Sequence, residues 1–211
     1  MRQKRGSSPY KKLLLFLIAI AALLGGYYWG NQYAVQTTDY LNLHPLASPV
    51  TIKAVNLTHY GTQQRFSEKN FQGKWSLVLV GHHDSAISND QLTLAVQIYN
   101  RLADKPDLQD SVQVIFLELD TNATPAQAIN YVRRYHPGFI AIGGDRTEIE
   151  SLTKQIGATY KITTKGTDPQ QIDHSTSMAL ITPTAQLAGV FTGRVDAVSI
   201  SADIKTLDRE R

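Results

Sequence analysis

Apolar positions along this chain fall into a few short runs separated by stretches of helical period. The first run is the longest: Leu13 to Ile20 reads LLLFLIAI and continues as AALLGGYYWG to Gly30, with no charge between Lys12 and Asp39. As a helix, Leu13 to Gly30 is ~27 Å long at ~1.5 Å per residue, close to the hydrocarbon thickness of a bilayer. Trp75 to Val80 (WSLVLV) is short and continuously apolar, which suits a strand buried on both faces. Leu92 to Ala103 carries Leu92, Ala95, Val96, Tyr99 and Leu102 at helical spacing, and Val112 to Leu119 (VQVIFLEL) reads as a second strand. Thr124-Pro125 opens a helix to about Tyr135, with Thr as N-cap and Pro at the first helical position. Phe139 to Ile142 is a third strand, and Thr147 to Ile156 a helix closed by Gly157. Met178 to Ile181 and Leu187 to Phe191, separated by TPTAQ, form a hairpin, and a last helix covers about Val195 to Leu207.

This order, βαβ, a further helical crossover, then ββα, is an α/β pattern of thioredoxin-like type behind one N-terminal transmembrane helix. Four segments follow: a basic tail over 1–12, the anchor over 13–30, a stem over 31–53 in which Pro45 and Pro49 oppose regular structure, and one domain over 54–211. Tyr27, Tyr28, Trp29 and Tyr33 cluster where an aromatic belt would meet the far interface. A cleaved signal peptide has a similar basic start and apolar run, but no small-x-small cleavage site precedes the aromatic cluster. Under either reading the domain is exported, and the short basic tail favours a bacterial inner membrane with the domain in the periplasm.

Charge sharpens topology rather than partners. The chain carries 21 basic and 18 acidic residues, a formal +3, but Arg2, Lys4, Arg5, Lys11 and Lys12 precede the first acidic residue, Asp39. The remainder has 16 basic against 18 acidic residues, so the net basicity marks a cytoplasmic flank and no nucleic-acid face. Cysteine is absent. That excludes a disulfide, a thiolate metal site, a cysteine nucleophile, dithiol redox work and a lipoprotein anchor.

Three segments in order, FQGKWSLVLVGHHDS, LELDTNATPAQAINYVRRYHPGFIAIGGDRTEIESLTKQIG and DHSTSMALITPTAQLAGVF, carry a family resemblance. They are similar to the entry strand, the central block and the DHS ending of the Sco (SenC) family, the membrane-anchored thioredoxin-fold copper chaperones of cytochrome c oxidase assembly. The resemblance covers roughly residues 66–211. It implies a protein partner in respiratory oxidase assembly and copper handling. The family's Cys-Pro-x-x-Cys-Pro loop corresponds to GHHDSAISND, and counting from Gly81 places Ser85 and Asn89 on the two cysteine positions. The histidine of the family's DHS motif matches His174. Asp120 of the central block is kept, in a loop one residue shorter.

A serine hydroxyl and an asparagine amide are neutral, hard donors, whereas Cu(I) prefers thiolate and thioether sulfur. The leading expectation is therefore a redox-inactive binding or assembly factor, not an enzyme, with no confident cofactor and copper as the one the family implies. The alternative is a metallochaperone with a rebuilt site from His82, His83, Asp84 and His174, of which His174, His83 and Asp84 are the best-placed ligands, suited to Cu(II) or Zn(II). If the chain stays extended, His83 and Ser85 share a face and His82 points away. The structural alternative treats Ser88-x-x-Gln91 as a capping box and His174 as a hydrogen-bonding residue of the fold. Ser85 lacks a G-x-S-x-G elbow, and no phosphate-binding glycine loop is present.

Overall fold

A computed structural model describes residues 9–34, 42–163, 171–193 and 195–210, except the side chains of residues 28–34, 45, 47 and 48. It divides into two compact units, 1–40 and 41–211. In the first, α1 (Pro9–Ala34) is a single helix long and apolar enough to cross a membrane. It extends beyond the expected span at both ends. The basic tail up to residue 8 and the aromatic side chains past Tyr27 lie outside the described residues.

The second unit is built on an eight-stranded sheet. Its strands are β1 (His44–Thr51), β2 (Leu57–His59), β3 (Gln64–Phe66), β4 (Trp75–Gly81), β5 (Val112–Glu118), β6 (Ile140–Gly143), β9 (Met178–Ile181) and β10 (Gln186–Phe191). They lie in the order β1-β10-β9-β4-β5-β6-β2-β3. A separate antiparallel pair comprises β7 (Tyr160–Thr163) and β8 (Gln171–His174). Strands β4, β5 and β6 are parallel, and β9 is antiparallel to β4. Helices α2 (Ala86–Arg101), α3 (Pro106–Ser111), α4 (Pro125–Arg133), α5 (Arg146–Gln155) and α6 (Ala197–Arg209) complete the unit.

The continuous apolar run of β4 is buried at every residue because both sheet faces are covered. Leu77 and Leu79, with Val114 and Phe116 of β5, pack under Leu92, Ala95 and Ile98 of α2, Val132 of α4, and Ile200 and Ile204 of α6. The alternate residues Val78, Val80, Ile115 and Leu117 face Leu57, Phe66, Phe71 and, on α5, Ile149 and Leu152. The helix starts follow capping chemistry. Thr124 Oγ1 accepts from Gln127 N–H and Thr124 N–H donates back to Gln127 Oε1, while Asp145 and Asp196 cap α5 and α6.

The expected stem is corrected by β1. A strand runs through Pro45 and Pro49 because it lies at the sheet edge, where a missing N–H costs no ladder bond. Its register against β10 shifts between Pro45 and Val50. Gly189 on β10 lets it approach: a Cβ there would overlap the His44 carbonyl and Leu43. The flanking Leu43 and Ile52 are buried. The hairpins β2–β3 and β7–β8 escaped notice because their three- and four-residue strands are too short for a period-2 signal. Helix α2 begins at Ala86 rather than near Leu92, capped by Ser85, whose Oγ accepts from Ser88 N–H at 3.4 Å. Ser88 is therefore a first-turn residue and not the cap of a box.

Candidate functional site

The C-terminal ends of β4 and β5, the N-terminus of α2 and the end of β8 meet at one place, where α/β sheets present their ligand sites. Leu119 N–H donates to Gly81 C=O at 2.8 Å and ties the two strand ends together. Beyond Gly81 the chain does not stay extended. Ser85 N–H donates to His82 C=O at 3.1 Å, and this turn sends His82 and His83 to different partners.

His82 takes the side of His174, with the two rings edge-on at 6.1 Å. The extended geometry that would have grouped His83 with Ser85 is corrected by that turn. His174 Nδ1 lies 3.1 Å from the Ser175 carbonyl, which can only accept, so Nδ1 carries the hydrogen and Nε2 is the free acceptor. Two hydroxyls converge on Nε2: Ser85 Oγ at 3.0 Å and Ser88 Oγ at 3.2 Å. Ser88 Oγ also accepts from His82 N–H at 3.1 Å. Ser88 is held against the strand end because Gly81 has no Cβ; one there would overlap Ser88 Oγ and crowd Phe116. Burial holds the His174 and His82 rings below the ordinary imidazole range; the Ser175 carbonyl partly opposes this at His174, and the neighbouring histidine rings reinforce it at His82.

His83 belongs to a second cluster. Its Nδ1 lies 3.2 Å from Glu118 Oε2, and Glu118 Oε1 accepts from Asp120 N–H at 3.0 Å. Glu118 is wholly buried. Burial pushes its carboxyl up to about 7, against the downward pull of Asp120 N–H and of His83. Tyr60 is raised by burial and by the nearby Glu118 and Asp120. Asp84 is exposed and meets His83 Nε2 only at 3.6 Å, a surface contact of little weight.

Asn89 forms a third cluster. Its Oδ1 accepts from Tyr131 OH at 2.8 Å and Tyr135 OH at 2.6 Å, which turns it towards α4 and away from His174. Ser88, which the sequence offered only as a capping residue, stands with Ser85 on His174 instead. The residues His174, His83 and Asp84 do not converge. Among the described residues no three His, Asp or Glu side chains are grouped to hold a metal. The donor set at His174 is one imidazole and two neutral hydroxyls, which does not fit a soft cuprous ion. Glu118 and Ser88 are the residues that sequence reasoning missed. Glu118 had a signal, a lone acid at the carboxyl end of an apolar parallel strand; Ser88 had none beyond its distance from Ser85.

The SCO1/SenC family model matches residues 56–208, which contain every residue of the three clusters. The chain belongs to the SCO1/SenC family. Its relatives include the human mitochondrial SCO1 homolog, 24% identical over 206 residues, covering 96% of this chain and 68% of that protein. The mouse mitochondrial SCO2 homolog is 30% identical over 130 residues, covering 60% of this chain but only 50% of its own length. Among solved structures, copper-bound yeast Sco1 superposes with a TM-score of 0.68 at 22% identity, covering 77% of this chain and 91% of that one. Apo Sco1 from Thermus thermophilus gives 0.70 at 20% identity, covering 81% and 99%. These structures share the thioredoxin-like fold. The α/β architecture expected from the sequence is the Sco fold. One of the solved relatives is described as a member of the Sco family of cytochrome c oxidase assembly proteins.

Proposed function

We propose that this protein is a Sco-like factor in cytochrome c oxidase biogenesis or copper handling that works through protein contacts, without thiol redox chemistry. The supporting observation is the pair of hydroxyls, Ser85 and Ser88, on His174 Nε2. Oxygen stands where thiol–disulfide exchange would need sulfur, and the chain has no cysteine elsewhere. Helix α1 anchors it in a bacterial inner membrane, the preceding basic residues remain cytoplasmic, and the sheet domain is periplasmic. Its partner is a protein of respiratory oxidase assembly, met on the surface that the family fold retains.

The test is a titration of the full chain, in mild detergent, with Cu(I) and Cu(II) under competition from a chelator, for the native protein and for His174→Ala. Both proteins should fail to take either ion from the chelator. Sub-micromolar binding that disappears in His174→Ala would overturn the contact-only reading and establish a rebuilt histidine site in its place.

A further inference from the structure

We propose that Ser85 is a nucleophile that accepts acyl groups from small activated esters, with His174 as its general base. The inference rests on the hydroxyl–imidazole geometry and stands apart from the oxidase-assembly reading. Ser85 Oγ and His174 Nε2 are 3.0 Å apart, and the opposite ring nitrogen is oriented by the Ser175 carbonyl at 3.1 Å. Nucleophile, base and orienting group are thus in the relationship that activates a serine, with a carbonyl in the third role.

Two features select Ser85 over Ser88. Ser88 is wholly buried in the first turn of α2 and wedged against Gly81, whereas Ser85 keeps a little exposure at the helix start. As the N-cap of α2, Ser85 also immediately precedes Ala86 and Ile87, whose N–H groups have no acceptor within the helix. The N–H of the residue after a nucleophile is a standard donor to the oxyanion of acyl transfer. An open groove of about 340 Å³ beside β7 and β8, lined by Thr159, Tyr160, Lys161, Asp173, His174 and Ser175, opens onto the imidazole that Ser85 Oγ contacts.

The step balances without any external oxidant or reductant. Ser85 Oγ bonds to the ester carbonyl carbon as its proton passes to His174 Nε2. The tetrahedral oxyanion faces the first-turn N–H groups. Its collapse breaks the bond to the leaving alkoxide or phenolate, which takes the proton from the imidazolium or departs as the anion while the imidazolium releases its proton to water. Water attacking the acyl-serine, with His174 again receiving a proton, releases the carboxylic acid and restores Ser85.

The probe is p-nitrophenyl acetate, applied to the full chain in mild detergent. Nitrophenolate release is followed in the visible, and the acetylated residue is located by peptide mass mapping. The expected result is a burst of about one equivalent with the acetyl group on Ser85. Ser85→Ala and His174→Gln should slow it about 100-fold or more, the scale of a lost general base. Asp107→Ala, at an exposed position on α3, should leave it unchanged. Absence of acetyl on Ser85 in the native protein, or equal acetylation in folded His174→Gln, overturns the proposal. Mapping on the native chain decides the question even if a variant fails to fold.

Discussion

Glu118 gives this domain a stability that falls as pH rises. The carboxyl is wholly buried on β5, and its burial raises it from 4.5 to about 7 in the folded protein. Between those values the folded state holds a proton that the unfolded chain has released. The contribution is therefore fully present below pH 4.5 and is lost as pH climbs through 7. A difference of about 2.5 units at ~1.36 kcal/mol each is about 3 kcal/mol. For a unit of this size that corresponds to roughly 6–12 °C in Tm. Glu118→Gln keeps the shape and can still accept from Asp120 N–H, but it has no proton to lose. Urea denaturation from pH 4.5 to 8, followed by the fluorescence of buried Trp75, whose Nε1 donates to Asp208, reads the effect. The native protein should lose about 3 kcal/mol relative to Glu118→Gln across that range. His82 and His174, both held low, titrate in both proteins and cancel in the difference. Parallel curves, or a native protein that gains on the variant as pH rises, would refute the reasoning.

Thiols introduced at the two positions that touch His174 should build a cuprous site. Ser85→Cys with Ser88→Cys is expected to bind Cu(I) and to form a reducible disulfide, whereas Ser85→Cys with Asn89→Cys should do neither, because Asn89 faces Tyr131 and Tyr135; chelator competition and thiol counting decide it. Gly81→Ala should destabilise the domain by about 1–3 kcal/mol through overlap with Ser88 Oγ and Phe116. Adding Ser88→Ala should return part of that loss in the same denaturation assay, and no recovery would mean that Phe116 carries the clash.

The fold was legible wherever an element buries a whole face. Strand β4 announces itself as a continuous apolar run because both of its faces are covered, and α4 through the Thr124-Pro125 cap. What escaped was structure settled by neighbours. Strand β1 forms through two prolines only because β10 offers it an edge and Gly189 offers it room. The start of α2 was placed a turn and a half late because the apolar period begins at Leu92, while the backbone is capped at Ser85. The site suffered from the same uncertainty. Counting from Gly81 put Asn89 beside His174, and the turn closed by Ser85 N–H on His82 C=O put Ser88 there instead. A displacement of one residue at a helix start rotates a side chain by roughly 100°, enough to exchange one cluster for another. Glu118 was written in the sequence as a charge inside an apolar strand, but its partner His83 was fixed by that same turn.

The same geometry bears on why His174 stands here without thiolates. Ser85, Ser88 and His174 are all nearly or wholly buried, and each finds a hydrogen-bond partner within the cluster. An orphaned buried hydroxyl or ring nitrogen costs about 1–3 kcal/mol. The two hydroxyls share the single lone pair of His174 Nε2, Ser88 Oγ in turn accepts from His82 N–H, and Ser85 Oγ caps α2. The cluster is self-satisfied. Removing His174 would strand two hydroxyls at the start of the helix that covers the sheet, so the residue contributes to the fold whether or not a metal ever arrives. Its presence as the histidine of a DHS motif therefore does not by itself imply copper. The satisfied cluster still has chemistry open to it: a hydroxyl already hydrogen-bonded to a neutral imidazole nitrogen, at a helix start whose first N–H groups have no acceptor within the helix, is poised to lose its proton to that nitrogen.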